Sequence, residues 1–207
     1  MKKRLFIISL VLVMLLASLV VVPVSATETP EILGASIRTE GTQGLRFVGR
    51  IKASDYSLTY GETANFGIIL LPANKVNAGT EISADTGTKV KAKILMSQAT
   101  VEAAGLTYES GYVYFSAVMT NIPKENYGTE LLARVYIDKG NGSYTYSAQE
   151  KRSVIYVANA VVAAGGEVPA AITTVVSDYN SVGSDILVDG STFGLMADPV
   201  IINKFYV

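Results

Sequence analysis

The sequence predicts a mainly β protein, an antiparallel β-sandwich with one or two C-terminal helices packed on it. Residues 45–53 alternate between apolar and mostly basic side chains, which is typical of a strand with one buried face. Residues 65–72 (NFGIILLP) form an almost continuous apolar run, as in a central strand that is covered on both faces. Residues 153–164 then change to helical spacing of apolar side chains and stop at two glycines.

The chain begins with the three parts of a secretory signal peptide. Lys2, Lys3 and Arg4 precede an apolar run over residues 5–22, and small residues at 24–26 predict cleavage after Ala26. An uncleaved anchor is the alternative, since a run of about 18 residues is long enough to span a bilayer. We expect residues 1–26 to be removed, which makes the protein secreted or exposed on the cell surface, with no membrane association after cleavage.

The remaining chain is predicted to form one domain. Residues 27–33 are interpreted as a leader, and residues 34–207 as a single β-sandwich-like domain with a helical segment at about 153–180. The first predicted hairpin joins strands 35–39 and 45–53 through a glycine-containing loop. In its second strand one face carries Leu45, Phe47, Gly49 and Ile51, and the other carries Arg46, Val48, Arg50 and Lys52.

The later elements follow from turns and spacing. Lysines alternate with apolar residues over 89–94, which predicts an edge strand. The turn KGNG at 139–142 predicts a hairpin between neighbouring strands. Residues 169–180 predict a second helix, because Pro169 is suited to a first helical turn. The other predicted strands are 111–123, 130–138, 143–147, 186–188 and 200–207.

Composition excludes several classes of chemistry. The chain has no cysteine and no histidine, which removes Ser-His-Asp and Cys-His nucleophiles and the usual zinc sites. Removal of the signal peptide takes away three of the 17 basic side chains and none of the 18 acidic ones. The mildly acidic remainder has no electrostatic reason to bind nucleic acid. An exported chain without cysteine is typical of a Gram-positive surface, and we expect no cofactor and no metal site.

Several motifs occur together in a recognisable order. They are GASIR, GLRF, FGIILLPA, FSAVMTNIPKENYGTELLARVYI and KRSVIYVANA, between about residues 34 and 162. This pattern resembles a module found in secreted and cell-surface proteins of clostridia and related Firmicutes, whose biochemical role is not established. The resemblance implies a location and neighbouring carbohydrate-active or wall-anchoring domains, and no catalytic residue. Its matching positions are Arg38, Gly44, Leu45, Arg46, Phe47, Pro123, Tyr127, Arg134 and Arg152.

Four arginines lie among apolar neighbours and therefore need acceptors. Arg38, Arg46 and Arg134 lie inside predicted strands, and Arg152 precedes the first predicted helix. An unpaired buried charge costs several kcal/mol. We interpret these arginines as structural, paired with internal acids or backbone carbonyls. The alternative is a site for carboxylates, phosphates or sugar hydroxyls.

Tyrosine is a second sign of a ligand. The chain has 12 tyrosines and no tryptophan. Some of them recur two residues apart on one strand face, and flat tyrosine surfaces suit sugar rings. The candidate ligand-binding residues are Tyr112, Tyr114, Tyr136, Tyr144 and Tyr146. Ordinary cross-strand packing is the alternative for all five.

The predicted function is therefore a non-catalytic surface or secreted module whose partner is a polysaccharide or cell-wall polymer. A carbohydrate-active hydrolase is one alternative, because two carboxylates about 5–9 Å apart can cleave a glycosidic bond. The acids available for it are Asp55, Glu62, Glu102, Glu109, Glu125 and Glu130, and no pair is singled out by spacing. A structural or protein-interaction module is the second alternative. We predict no catalytic residue.

Overall fold

The protein is mainly β, with two antiparallel sheets packed as a sandwich, which confirms the predicted fold class. The computed structural model describes residues 29–39, 42–53, 65–87, 89–140, 142–182 and 194–196. The predicted signal peptide and the predicted strands at 186–188 and 200–207 lie outside the described residues. In the part that is described, no helix is long and apolar enough to cross a membrane.

In the part of the chain that the structure describes, ten strands and three α-helices follow one another. The strands are β1 (Glu31–Arg38), β2 (Gly44–Lys52), β3 (Asn65–Pro72), β4 (Val90–Ala92), β5 (Ile94–Leu95), β6 (Tyr112–Thr120), β7 (Leu131–Asp138), β8 (Tyr144–Tyr146), β9 (Glu150–Arg152) and β10 (Gly194–Met196). The helices are α1 (Gln98–Ala103), α2 (Val154–Ala163) and α3 (Ala170–Val182). Short 3-10 turns cover Ala73–Lys75 and Lys124–Asn126.

The first sheet is built on β6, which pairs with β2 along its whole length and with the short strands β5 and β10. β1 completes the sheet beside β2, with a bulge between Ile32 and Gly34. At Gly34 φ is +136°, a conformation that L side chains rarely adopt. β1 begins at Glu31, so it includes the last three residues of the predicted leader.

The second sheet has β3 and β7 at its centre, with β4 on the far side of β3 and both β8 and β9 paired with β7. The predicted edge strand at 89–94 is two strands in two sheets. β4 pairs with β3, and after Lys93 the chain crosses over so that β5 pairs with β6. The crossing places the side chain of Ile94 in a buried position, 5% exposed.

The core lies between the inner faces of the two sheets. The predicted alternation in β2 is confirmed, because Leu45, Phe47 and Ile51 belong to the shared core. Gly49 completes this inner face, and a Cβ there would lie 2.6 Å from Val135 Cγ2 on the opposite sheet. The second sheet therefore approaches the first too closely at this point for any side chain.

The apolar run of β3 is buried on both faces, as predicted. Phe66, Ile68 and Leu70 point into the shared core, and the Phe66 ring meets that of Phe115 edge-on at 5.0 Å. Ile69 and Leu71 point the other way, and both are 0% exposed. Residues 73–87, which follow β3, cover this outer face of the second sheet with Val76 and Ile82.

The two predicted C-terminal helices close the core. Ser153 is the N-cap of α2, and its hydroxyl accepts from the amide of Tyr156. The helix stops before Gly165 and Gly166, both of which have positive φ. α3 pairs with α2, and side chains from both helices join the core between the sheets: Val154, Val157, Ala158, Val161, Ile172 and Val175.

The short helix α1 was not predicted from the sequence. It packs on the outer face of the first sheet, where Val101 contacts a small apolar cluster with Val48 and Tyr114. Ser97 caps its first turn by accepting from Thr100 N. With six residues it presents too little periodicity to recognise in a sequence.

Candidate functional site

Three of the five candidate tyrosines meet on the outer face of the second sheet. Tyr136 of β7 pairs directly with Tyr146 of β8, and Tyr144 lies two residues further along β8 on the same face. The rings of Tyr144 and Tyr146 stack at 5.9 Å with 21° between their planes, while Tyr136 meets Tyr144 edge-on at 6.4 Å. We call Tyr136, Tyr144 and Tyr146 the tyrosine cluster.

Exposure differs within the tyrosine cluster. Tyr136 is 3% exposed and belongs to the apolar cluster under residues 73–87. Tyr144 and Tyr146 are both half-buried, which leaves part of each ring open to solvent. Tyr136 therefore supports the surface, and the other two tyrosines provide ring area that a ligand can contact.

Charged groups surround the tyrosine cluster. Lys91 Nζ, on the edge strand β4, lies 4.8 Å from the Tyr136 ring centroid and 5.4 Å from that of Tyr144. Burial raises the pKa of Tyr136, with further contributions from Asp138 and Tyr144. Burial also raises the pKa of Tyr144, and Asp138 adds to the shift. Both phenols therefore keep their protons at neutral pH and can donate hydrogen bonds.

Arg134 holds the loop of residues 76–87 beside the tyrosine cluster. Its Nε donates to the carbonyl oxygen of Ser147 at 2.9 Å, and its Nη1 donates to that of Ile82 at 3.0 Å. Its Nη2 pairs with Glu81 at 2.9 Å. The guanidinium carbon lies 4.7 Å from the Tyr146 ring centroid. Arg134 thus joins the loop, β7 and the end of β8 at one point.

Two further hydrogen bonds fix the same loop. Ile82 N donates to Gln149 Oε1 at 2.7 Å, and Ala84 N donates to the hydroxyl of Tyr146 at 2.9 Å. The position of the Tyr146 ring therefore depends on the loop, and the loop depends on Arg134. The sequence did not predict these contacts, because neither Gln149 nor Ala84 belongs to a recognisable motif.

A cleft of about 440 Å³ is lined in part by residues of the same loop and by none of the tyrosine cluster. The Lys151 ammonium and the Glu130 carboxylate form an ion pair at its wall, at 2.8 Å. Both apolar and polar residues line it: Ala73, Val76, Asn77, Ala78, Gly79, Thr80, Glu130, Leu132, Gln149 and Lys151. The sequence predicted neither the cleft nor Gln149 and Lys151 as its lining.

The other two candidate tyrosines lie on the opposite side of the molecule. Tyr112 and Tyr114 belong to the outer face of the first sheet. Tyr114 is 2% exposed, and its hydroxyl accepts from Glu109 N and donates to the carbonyl oxygen of Thr107. The guanidinium of Arg50 covers the Tyr112 ring at 4.0 Å. The structure therefore divides the five tyrosines into two groups and leaves little free ring area in the second.

The arginines differ in how they are satisfied. Arg152 Nη1 pairs with Glu150 at 2.8 Å and donates to the carbonyl oxygen of Lys151, and its guanidinium lies 5.2 Å from the Tyr156 ring centroid. Arg38 is 3% exposed. Arg46 is 1% exposed, and none of its three guanidinium nitrogens has a hydrogen-bond acceptor in the described structure.

The candidate carboxylates are dispersed. Asp55 and Glu62 lie outside the described residues. Glu109 pairs with Arg50 on the first sheet at 2.6 Å, whereas Glu130 pairs with Lys151 on the second. Glu102 accepts from Gln98 on α1, and Glu125 lies in a 3-10 turn. Within the described ranges, no three acidic residues form a group that would hold a metal ion.

No protein family, no curated protein and no solved structure matches this chain.

Proposed function

We propose that the protein is an exported, non-catalytic module that binds a polysaccharide or cell-wall polymer through the tyrosine cluster. The observation that carries this proposal is the contact of Tyr136, Tyr144 and Tyr146 on one sheet face, with the rings of Tyr144 and Tyr146 partly open. The Lys91 ammonium supplies hydrogen-bond donors at the edge of the aromatic surface. Aromatic area combined with donors is the chemistry that sugar rings require.

The resemblance to a surface module of clostridia and related Firmicutes supports the same proposal from the sequence. So does the N-terminal segment, which has the composition of a signal peptide. N-terminal sequencing of the protein recovered from culture medium tests the export step. A mature chain beginning at Thr27 is the expected result, and a cell-bound protein that retains residues 1–26 would contradict it.

One flat sheet face covers little of a polymer, so we expect weak binding by a single copy and stronger binding when several copies act together. Affinity electrophoresis in gels that contain soluble wall polymers and plant or bacterial polysaccharides detects such weak binding. The expected result is retardation by a subset of these polymers. The most informative variant is Tyr144→Ala, because it removes half-exposed ring area that is not needed to hold the loop.

The matched control is Tyr112→Ala, which removes a half-buried tyrosine from the opposite sheet. Tyr144→Ala should weaken polymer binding by about tenfold, which corresponds to about 1.4 kcal/mol of lost ring contact. Tyr112→Ala should leave binding unchanged. Equal losses for both variants, or no retardation by any polymer, would favour a structural or protein-interaction module. Release of reducing sugar from any of the polymers would favour the hydrolase.

A further inference from the structure

The outer face of the first sheet contains a buried charge that has no partner among the described residues. Arg46 lies in the middle of β2 and is 1% exposed, and its Nε, Nη1 and Nη2 atoms are all buried without an acceptor among the described residues. A guanidinium has five N–H groups, and leaving them dry and unpaired is one of the most costly arrangements in a protein. An acceptor at this position would remove the cost.

A second unsatisfied group faces the same point. Ser36 of β1 is directly opposite Arg46 in the sheet register, so the two side chains project from the same face. The Ser36 hydroxyl is also buried without a partner in the described chain. A hydroxyl and a guanidinium that both lack partners, on neighbouring strands, are complementary to the oxygens of one anion.

A second arginine lies near Arg46. Arg38 projects from the same face, two residues from Ser36 along β1, and is also buried. Burial, followed by the repulsion from Arg38, lowers the pKa of Arg46 to about 10. Arg46 therefore remains charged at neutral pH next to a second guanidinium, and an anion between them would relieve both the burial cost and the repulsion.

The other end of the same face shows how an arginine is normally satisfied in this protein. Arg50 lies four residues along β2, about 13 Å away. Its Nε pairs with Glu31 at 2.9 Å, and its Nη1 pairs with Glu109 at 2.6 Å. Two carboxylates thus surround Arg50, whereas no carboxylate of the described residues pairs with Arg46. The contrast on one strand face indicates that the acceptor for Arg46 comes from outside the described chain.

We propose that Arg46, Ser36 and Arg38 form a binding site for an oxyanion, namely a carboxylate or phosphate group of a ligand. The planar fork of Arg46 holds two oxygens of the anion, the Ser36 hydroxyl donates to one of them, and Arg38 contributes charge. This site lies on the opposite sheet from the tyrosine cluster. It therefore does not depend on the proposed polymer binding by that cluster.

The test is thermal unfolding of the purified protein in three series at constant ionic strength, with chloride replaced by phosphate, acetate or glucuronate. A ligand that binds only the folded state raises the unfolding temperature. We expect a rise of about 5 °C or more at a concentration a hundredfold above Kd in at least one series. A response to phosphate alone identifies a phosphate site. A stronger response to glucuronate than to acetate identifies a sugar acid.

Arg46→Met is the decisive variant, because it removes the charge and keeps a side chain of similar length. It should abolish the anion response and, in chloride alone, be at least as stable as the wild type, since it also removes the buried unpaired charge. Arg50→Met is the matched control on the same strand face and should keep the response. Ser36→Ala removes only the hydroxyl oxygen and should weaken the rise in unfolding temperature caused by the anion. It replaces Arg46→Met as the test variant if Arg46→Met does not fold.

Two outcomes would overturn the proposal. One is a wild-type unfolding temperature that none of the three anions changes at constant ionic strength. The other is an Arg46→Met protein that is strongly destabilised in chloride and still responds to anions as the wild type does. The second result would mean that an acid of this chain already satisfies Arg46, so that the variant leaves that acid unpaired.

Discussion

The contacts of Arg134 lead to a prediction that separates global stability from the order of one loop. Its guanidinium binds the carbonyl oxygens of Ser147 and Ile82 and pairs with Glu81. Arg134→Met keeps the aliphatic length of the side chain and removes all three interactions. The loop of residues 76–87 should then lose its attachment to β7, while the rest of the sandwich keeps its fold.

The loss of stability expected in Arg134→Met depends on how deeply Arg134 and each of its partners are buried. The Glu81 side chain is 68% exposed, so this ion pair contributes little. The two hydrogen bonds to carbonyl oxygens are donated by a charged group whose side chain is 13% exposed, and such bonds contribute about 1.5–3 kcal/mol each. After the entropy gained by releasing the loop, we expect a loss of about 3 kcal/mol. In a domain of this size, the unfolding temperature should fall by about 6–12 °C.

Hydrogen exchange at two amides measures the local effect. Ile82 N donates to Gln149 and Ala84 N donates to Tyr146, and both bonds lie within the loop that Arg134 anchors. Their protection should fall at least tenfold in Arg134→Met, since each factor of ten corresponds to about 1.4 kcal/mol. Arg134→Lys keeps the charge but loses the planar fork, and should give an intermediate result.

Arg50→Met is the control for general destabilisation. Arg50 also pairs with two acids and has a side chain that is 17% exposed, but it lies on the other sheet. It should lower the unfolding temperature without selectively exposing Ile82 and Ala84. Unchanged protection at these two amides in Arg134→Met, or an equal loss in Arg50→Met, would refute the reasoning that Arg134 anchors the loop.

Three further predictions concern the fold and its ionisation. Gly49→Ala should lower the free energy of unfolding, measured with urea, by about 1–3 kcal/mol, because the new Cβ would lie 2.6 Å from Val135 Cγ2. Gly111→Ala should lower it far less, because a Cβ there would meet nothing within 4 Å. Ser153→Ala should cost about 1 kcal/mol, measured in the same way, because α2 loses its N-cap. Burial raises the pKa of Tyr136 above its ordinary value of 10.0, so the folded state binds the phenol proton more tightly than the unfolded chain does. This tighter proton binding stabilises the folded state fully below pH 10, and the stabilisation is lost as the pH rises above 10. When the pH is raised from 8 to 11, the free energy of unfolding should therefore fall less in Tyr136→Phe than in the wild type.

The sequence determined the elements whose patterns are local. The alternation in β2 depends on side chains two residues apart, and the structure places Leu45 and Phe47 inside and Arg46 outside, as that pattern requires. The helical spacing at 153–164 and the two glycines after it fixed α2 to within a residue at each end. These signals need no knowledge of the remaining chain, because the period of a strand or helix is a property of its own backbone.

Tertiary structure alone decided which residues share a surface. Tyrosine spacing identified pairs within one strand, but only the pairing of the strands placed Tyr136, Tyr144 and Tyr146 together and Tyr112 and Tyr114 on the opposite sheet. The contact of Arg134 with Ile82 joins residues 52 positions apart. That no described residue accepts from Arg46 is likewise a property of the assembled face, because whether a buried charge is paired depends on every element packed around it.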